Sequence, residues 1–141
     1  MSQIRWLILL LGLLCCWSAA NAQDVVIVVN KNVRISQIRD IDLHAIFTGE
    51  QSRFADGSHA LPVILKGGAV HEVFLKKHLG ENPDDFRAQW RKAVFTGQGA
   101  MPRTFDSESA LIAYVTATPG AIGYVSRVSP EEDVRRLPIV P

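Results

Sequence analysis

Lys66, Gly67, Gly68 and Ala69 form the stretch of this sequence best suited to chemistry, and that chemistry is anion capture. A glycine pair lets backbone approach a ligand closely, a helix starting there presents free N–H groups, and Lys66 adds positive charge. The plainer reading of the same residues is a strand-to-helix turn in which the glycines meet a backbone requirement. Asn30, which closes the first apolar run, is grouped with this loop as a candidate ligand residue. The four histidines, His44, His59, His71 and His78, are the other residues able to do chemistry. His71 and His78 lie two helical turns apart, too far for the i, i+4 chelation of helical zinc sites, so no metal site is expected. Asp84 and Asp85 pose as paired acids, but a helix N-terminus accounts for them. Arg103, in a Gly-rich loop, reads better as a solvated arginine than as an anion ligand. No Gly-x-Ser-x-Gly elbow occurs, so hydrolase activity is not expected, and nothing calls for a cofactor.

The elements that would position these residues follow a leader. Met1 to Arg5 carries one positive charge, and Trp6 to Trp17 is an apolar run of about a dozen residues, the size of a signal-peptide core and short of a membrane span. Small residues come next, and Ala20-x-Ala22 fits signal peptidase, which places cleavage before Gln23. An uncleaved membrane anchor is the competing reading. The expected organisation is a signal peptide over residues 1–22 and one domain over residues 23–141, exported to a bacterial periplasm and not membrane-embedded after cleavage. Both cysteines, Cys15 and Cys16, fall in the leader, and neither Leu14 nor Cys15 suits the position before a lipidated cysteine. The processed domain would have no disulfide and no thiolate ligand. Its Lys+Arg count falls from 15 to 14, against 14 Asp+Glu, so it is near neutral. With no basic stripe carrying interleaved aromatics, nucleic acid is not an expected partner.

Val25–Val29 is a β-branched run without alternation, which predicts a strand buried on both faces, as in parallel sheets. Leu43 to Phe47 predicts a short helix, capped by Asp40 or Asp42 and ended by Gly49, with Ile35, Ile38 and Ile41 as an apolar lead-in. Leu61–Leu65 predicts a strand. After the Lys66 loop, Val70, Val73, Phe74 and the stem of Lys77 predict a helical stripe closed by Gly80. Asn82-Pro83-Asp84-Asp85 is a strong helix start, with Phe86, Trp90, Ala93 and Val94 as its buried stripe and Gly97 beyond it. Gly97 to Thr104 reads as a loop. Asp106 or Ser107 caps a fourth helix bearing Leu111, Tyr114 and Val115. Thr118-Pro119-Gly120 is turn chemistry before a strand over Ala121–Val125, and a last strand is placed within Arg136 to Val140. Strands alternating with helices predict an α/β fold, a three-layer sandwich with a mostly parallel sheet.

Several of these segments resemble the phosphate-binding periplasmic components of ABC transporters. They are Leu43-His-Ala-Ile-Phe-Thr-Gly49, the Phe54-Ala-Asp-Gly57 turn before Leu61-Pro62, Phe74 and Leu79, Trp90 with Phe95-Thr-Gly-Gln-Gly-Ala-Met-Pro102, and above all Thr118-Pro-Gly-Ala-Ile-Gly-Tyr-Val125. The resemblance implies one lobe of a type II periplasmic binding protein, in a chain about half the length that two lobes require. It implies binding of phosphate or another small oxyanion and an ABC permease or other envelope partner. The ligand loop departs from the family pattern, Arg-x-Asp-x-Ser-Gly-Thr. Lys66-Gly-Gly-Ala-Val-His71 has neither its hydroxyls nor its Asp. That departure raises the alternative of an accessory module that docks onto an envelope complex without a ligand.

Overall fold

The computed structural model describes residues 24–141; the expected leader, residues 1–22, lies outside the described residues. The elements in chain order are β1 (Val26–Val29), β2 (Ile38–Arg39), α1 (Asp40–Thr48), β3 (Leu61–Leu65), α2 (Ala69–Phe74), α3 (Pro83–Phe95), β4 (Arg103–Phe105), α4 (Glu108–Ala117), β5 (Ala121–Val125), β6 (Arg135–Arg136) and β7 (Ile139–Val140). Helix α2 runs on without a break into π-helical winding over Leu75–Leu79, and Gly80 closes it at φ 67°.

The main sheet has the order β4-β3-β5-β1-β6. Strand β3 is parallel to β4 and β5, whereas β1 is antiparallel to β5 and β6. Four strands therefore point one way and β1 points the other, giving a mixed, mostly parallel sheet. The apolar run at β1 reports burial on two faces correctly, but burial carries no information about direction, and the expected parallel neighbours are replaced by antiparallel ones. A two-stranded parallel ribbon joins β2 to β7.

Alternation along β5 sends its side chains to both faces. Tyr124 packs on Phe47 of α1 and Phe74 of α2, while a side chain at Gly123 would meet Leu111 of α4. Helices α1, α2 and α3 thus lie on one face and α4 on the other, the three layers expected from the sequence. Helix α3 is locked to α1 by the indole N–H of Trp90, which donates to the Phe47 carbonyl at 2.8 Å.

Local chemistry explains most boundaries. Asn82 accepts from the Asp85 N–H at 2.9 Å and Pro83 opens α3. Of the two residues considered for the α4 cap, Ser107 fills the role, accepting from Ala110 N–H at 3.1 Å. Neither Asp40 nor Asp42 caps α1: the cap position is Arg39, which makes no side-chain cap. Asp42 instead accepts from the Arg39 guanidinium at 2.8 and 3.2 Å. Gly49 ends α1 at φ 83°, as expected. Of the apolar lead-in, Ile38 is buried and Ile41 is exposed.

The stripe of α2 is rotated from the expected one. His71, Leu75 and Leu79 are buried with Val70 and Phe74, whereas Lys77 points out, because the wider π turn shifts the register of the last five residues. In α3, Val94 is exposed and Phe86, Trp90 and Ala93 carry the packing. The expected loop before Thr104 contains the start of β4, and the expected last strand divides between two sheets at Pro138.

Candidate anion-binding crevice

Strand β3 ends at Leu65, and the Lys66 N–H continues its ladder by donating to the Phe105 carbonyl of β4 at 2.8 Å. From there the two neighbouring parallel strands lead to helices on opposite faces of the sheet, β3 to α2 and β4 to α4. Such a divergence opens a crevice at the carboxyl ends of the strands, the place where open α/β sheets receive ligands. Here it is a shallow depression of ≈ 290 Å³ lined by Leu65, Gly67, Gly68, Ala69 and Val70 from one side and by Asp106, Ser107 and Glu108 from the other.

Gly68 is the N-cap of α2 with φ 96° and ψ 174°, and nothing lies within 4 Å of where its Cβ would be. Glycine is therefore required there by backbone conformation, not by crowding. Because it has no side chain, no cap takes up the first-turn N–H groups of α2, which have no intrahelical acceptor either. Those groups face the depression with the positive end of the helix. The α4 start is different, since Ser107 caps it.

Charge at the mouth is mixed. Lys66 Nζ lies 3.8 Å from Asp106 Oδ1, both side chains well exposed, so the pair is weak and screened by solvent. Glu108 accepts from the Ser126 backbone N–H and, at 3.1 Å, from its hydroxyl, which ties the end of β5 to the start of α4. An anion entering here meets backbone amides and one lysine, with two carboxylates at the rim.

A buried polar link holds this loop from behind. The Tyr124 hydroxyl accepts the Leu65 N–H at 3.1 Å, so its single proton goes to His71 Nδ1, and the ring hydrogen of His71 is assigned to Nε2. Burial pushes the Tyr124 hydroxyl well above the usual phenol range. Burial likewise holds His71 below the usual histidine range, against the pull of nearby Glu72, and the Arg87 charge adds to the depression. His78, at the other end of the same helix, is lowered by burial too, against its 3.4 Å contact with Asp40 and with Lys77 adding to the fall.

Both shifts mean that the folded protein binds fewer protons than the unfolded chain below the ordinary histidine pKa of about 6.5. Stability is then full above that value and falls as pH drops through the lowered folded values. Thermal melts from pH 7.5 down to pH 5 are expected to show a falling midpoint, with a shallower fall in His71→Phe. A fall in His71→Phe as steep as in wild type contradicts the assignment of His71 as a neutral acceptor.

Of the residues expected to bind a ligand, Gly67, Gly68 and Ala69 line the crevice, Lys66 does not line it but reaches its rim beside Asp106, and Asn30 is not among them. Because β1 runs against β5, its carboxyl end falls at the opposite edge of the sheet, where Asn30 N–H donates to the Ala121 carbonyl at 3.0 Å. The Asn30 amide donates to the Val115 and Thr116 carbonyls at 2.7 and 3.0 Å, closing the end of α4, while its oxygen accepts from Asn32 N–H. Sequence reasoning missed Asp106, Ser107 and Glu108 as crevice residues. The capping pattern at Asp106–Ser107 was visible, but its place beside Lys66 depends on β4, too short to be seen.

His44 is half-buried and His59 exposed, and among the described residues no group of three or more His, Cys, Asp and Glu side chains gathers as a metal site would require. Arg103 lies in β4 with its guanidinium over the Tyr114 ring at 5.1 Å. Among the described residues no helix is long and apolar enough to cross a membrane.

No protein-family model and no curated protein matches the chain. Solved structures do match in fold. A Clostridium perfringens structure described as a phosphate ABC transporter substrate-binding protein with bound phosphate superposes at TM-score 0.62 and 14% identity, over 82% of this chain and 44% of the other. PstS from Borrelia burgdorferi gives 0.60 at 16% identity, over 82% and 46%. An ABC-type phosphate transport receptor from Vibrio cholerae gives 0.52 at 14%, over 82% and 45%. These neighbours are binding proteins, and this chain spans less than half the length of each. The likeness is one of fold: a single lobe of the substrate-binding type.

Proposed function

We propose that a lobe of the periplasmic substrate-binding type works here as a non-enzymatic, substrate-binding-like protein that takes phosphate or another small oxyanion at the β3–β4 crevice. One observation carries the reading: the crevice between two diverging parallel strands receives the uncapped start of α2. Backbone N–H groups of Gly67, Gly68, Ala69 and Val70 would hold the anion oxygens, and Lys66 would add charge. In the same reading the protein is exported on residues 1–22, resides in the periplasm, and serves an ABC permease or another envelope complex.

The crevice predicts weak binding. The Lys66 loop carries no hydroxyl in place of the Ser and Thr of the related loops, the Ser107 hydroxyl across the crevice is taken up as the cap of α4, Asp106 and Glu108 flank the mouth, and an imperfectly paired anion loses more solvation than it regains. A dissociation constant of about 1 mM or weaker is expected for phosphate, to be measured by calorimetry and thermal shift. Lys66→Ala is expected to weaken it several-fold. Ala69→Pro, which deletes one N–H at a position that favours proline, is expected to do the same without loss of the fold. Absence of heat and of any thermal shift at tens of millimolar phosphate and sulfate overturns the reading.

The acidic rim favours a second reading, in which the lobe is an accessory module that docks onto an envelope complex with the crevice empty. Recovery of one stable membrane partner together with no anion binding would select it.

A further inference from the structure

We propose that the carboxyl end of α3 and the loop after it dock onto an anionic lipid surface. Phe95 is 93% exposed at the last position of the helix, and Val94 and Met101 are exposed beside it in sequence. Between Asp85 and Asp106 the chain carries Arg87, Arg91, Lys92 and Arg103 and no acid. Arg87 is engaged by Asp84, while Arg91, Lys92 and Arg103 form no ion pair among the described residues.

Helical spacing puts these groups together. Phe86, Trp90 and Ala93 face the core, so Arg87, Arg91 and Phe95, each four apart, share the outer face, with Lys92 three residues before Phe95. Met101 and Arg103 line one side of a second depression of ≈ 360 Å³ that continues to Trp90 and Leu61. With Arg103 taken up by the Tyr114 ring and Arg87 by Asp84, the free set on the helix is an aromatic knob, Phe95, flanked by Arg91 and Lys92 with their apolar stems, the kind of residue set that binds the boundary between headgroups and acyl chains. A protruding ring suits a deformable medium better than a preformed protein groove. Cations on a stretch that carries no acid from residue 86 to residue 105 call for a negative complement, which a bilayer of anionic lipid provides.

The surface lies at the amino ends of β3 and β4, at the edge of the sheet opposite the Lys66 crevice. Docking there leaves the crevice open, so the two inferences stand or fall separately.

The test is co-sedimentation with vesicles of phosphatidylcholine alone and of phosphatidylcholine with phosphatidylglycerol, at low and high salt. Wild type and variants are compared in the same processed form, with the N-terminus defined by mass spectrometry. Binding is expected on the anionic vesicles only and should weaken as salt rises. Phe95→Ala is expected to reduce it about tenfold by removing the inserted ring. Arg91→Gln with Lys92→Gln is expected to reduce it about twenty-five-fold, at roughly fivefold per lost charge. Melting curves of both variants should match wild type, since all three side chains are exposed. Absence of binding, equal binding to neutral vesicles, or binding indifferent to Phe95→Ala overturns the proposal. Self-association without lipid that Phe95→Ala abolishes overturns it as well, by assigning the surface to a second copy of the chain.

Discussion

Phe74→Ala is expected to lower the melting temperature by about 15 °C, through a loss of about 4 kcal/mol. Phe74 is fully buried, stacked on Tyr124 with ring centroids 3.9 Å apart and an interplanar angle of 9°, and edge-on to Phe47 at 4.9 Å and 68°. Removing the ring leaves a cavity between α1, α2 and the sheet. It also removes aromatic contacts worth roughly 1 kcal/mol beyond their buried area. The same residue type supplies the control: Phe95→Ala, at the exposed end of α3, is expected to shift the midpoint by about 2 °C or less, because surface changes stay within about 0.5 kcal/mol. Near-equal midpoints for the two variants would contradict the packing described for α2.

Gly120→Ala is expected to cost about 3 to 4 kcal/mol in urea unfolding, by two causes that add. Gly120 has φ +80°, and a Cβ built there would lie 2.6 Å from the backbone oxygen of His59. That oxygen cannot swing aside as a side chain would. The flanking backbone is pinned as well: Gly120 N–H donates to Asn32 Oδ1 at 3.0 Å, and its carbonyl accepts the Leu61 N–H at 2.9 Å. Gly57 has a similar φ of +84° with nothing within 4 Å, so Gly57→Ala isolates the conformational cost, about 1 kcal/mol. Equal costs at the two positions would show that the contact with His59 is relieved without penalty.

The Thr118–Val125 string therefore has a packing explanation at each glycine. Gly120 lets the turn approach the chain before β3. Gly123 makes room for Leu111 and Val63, whose atoms would lie 2.8 and 3.0 Å from an added Cβ. This is why that stretch was so informative about fold and so uninformative about ligand.

What could be read beforehand was what short-range physics dictates. Asn82-Pro83 starts α3, Gly49 and Gly80 end their helices, and the apolar runs of β3 and β5 end where turn residues begin. Strands of two or three residues, β2, β4 and β6, carry no period to detect. The direction of β1 was equally hidden, because an all-apolar run fits either kind of neighbour. That one ambiguity accounts for Asn30: with β1 reversed, the residue lands at the far edge and closes α4. The loop at Lys66 was visible because a glycine pair between strand and helix has few uses. Its acidic neighbours were not, since they arrive through β4. The Tyr124–His71 link joins residues 53 apart and leaves no local trace.

The most direct measurement is a phosphate titration followed residue by residue in amide ¹H–¹⁵N spectra. With an amide-built oxyanion site at the start of α2, the N–H signals of Gly67, Gly68, Ala69 and Val70 are expected to move together along one weak saturation curve, and to move less in Lys66→Ala. Movement confined to other parts of the chain, or none as phosphate reaches tens of millimolar, would contradict it.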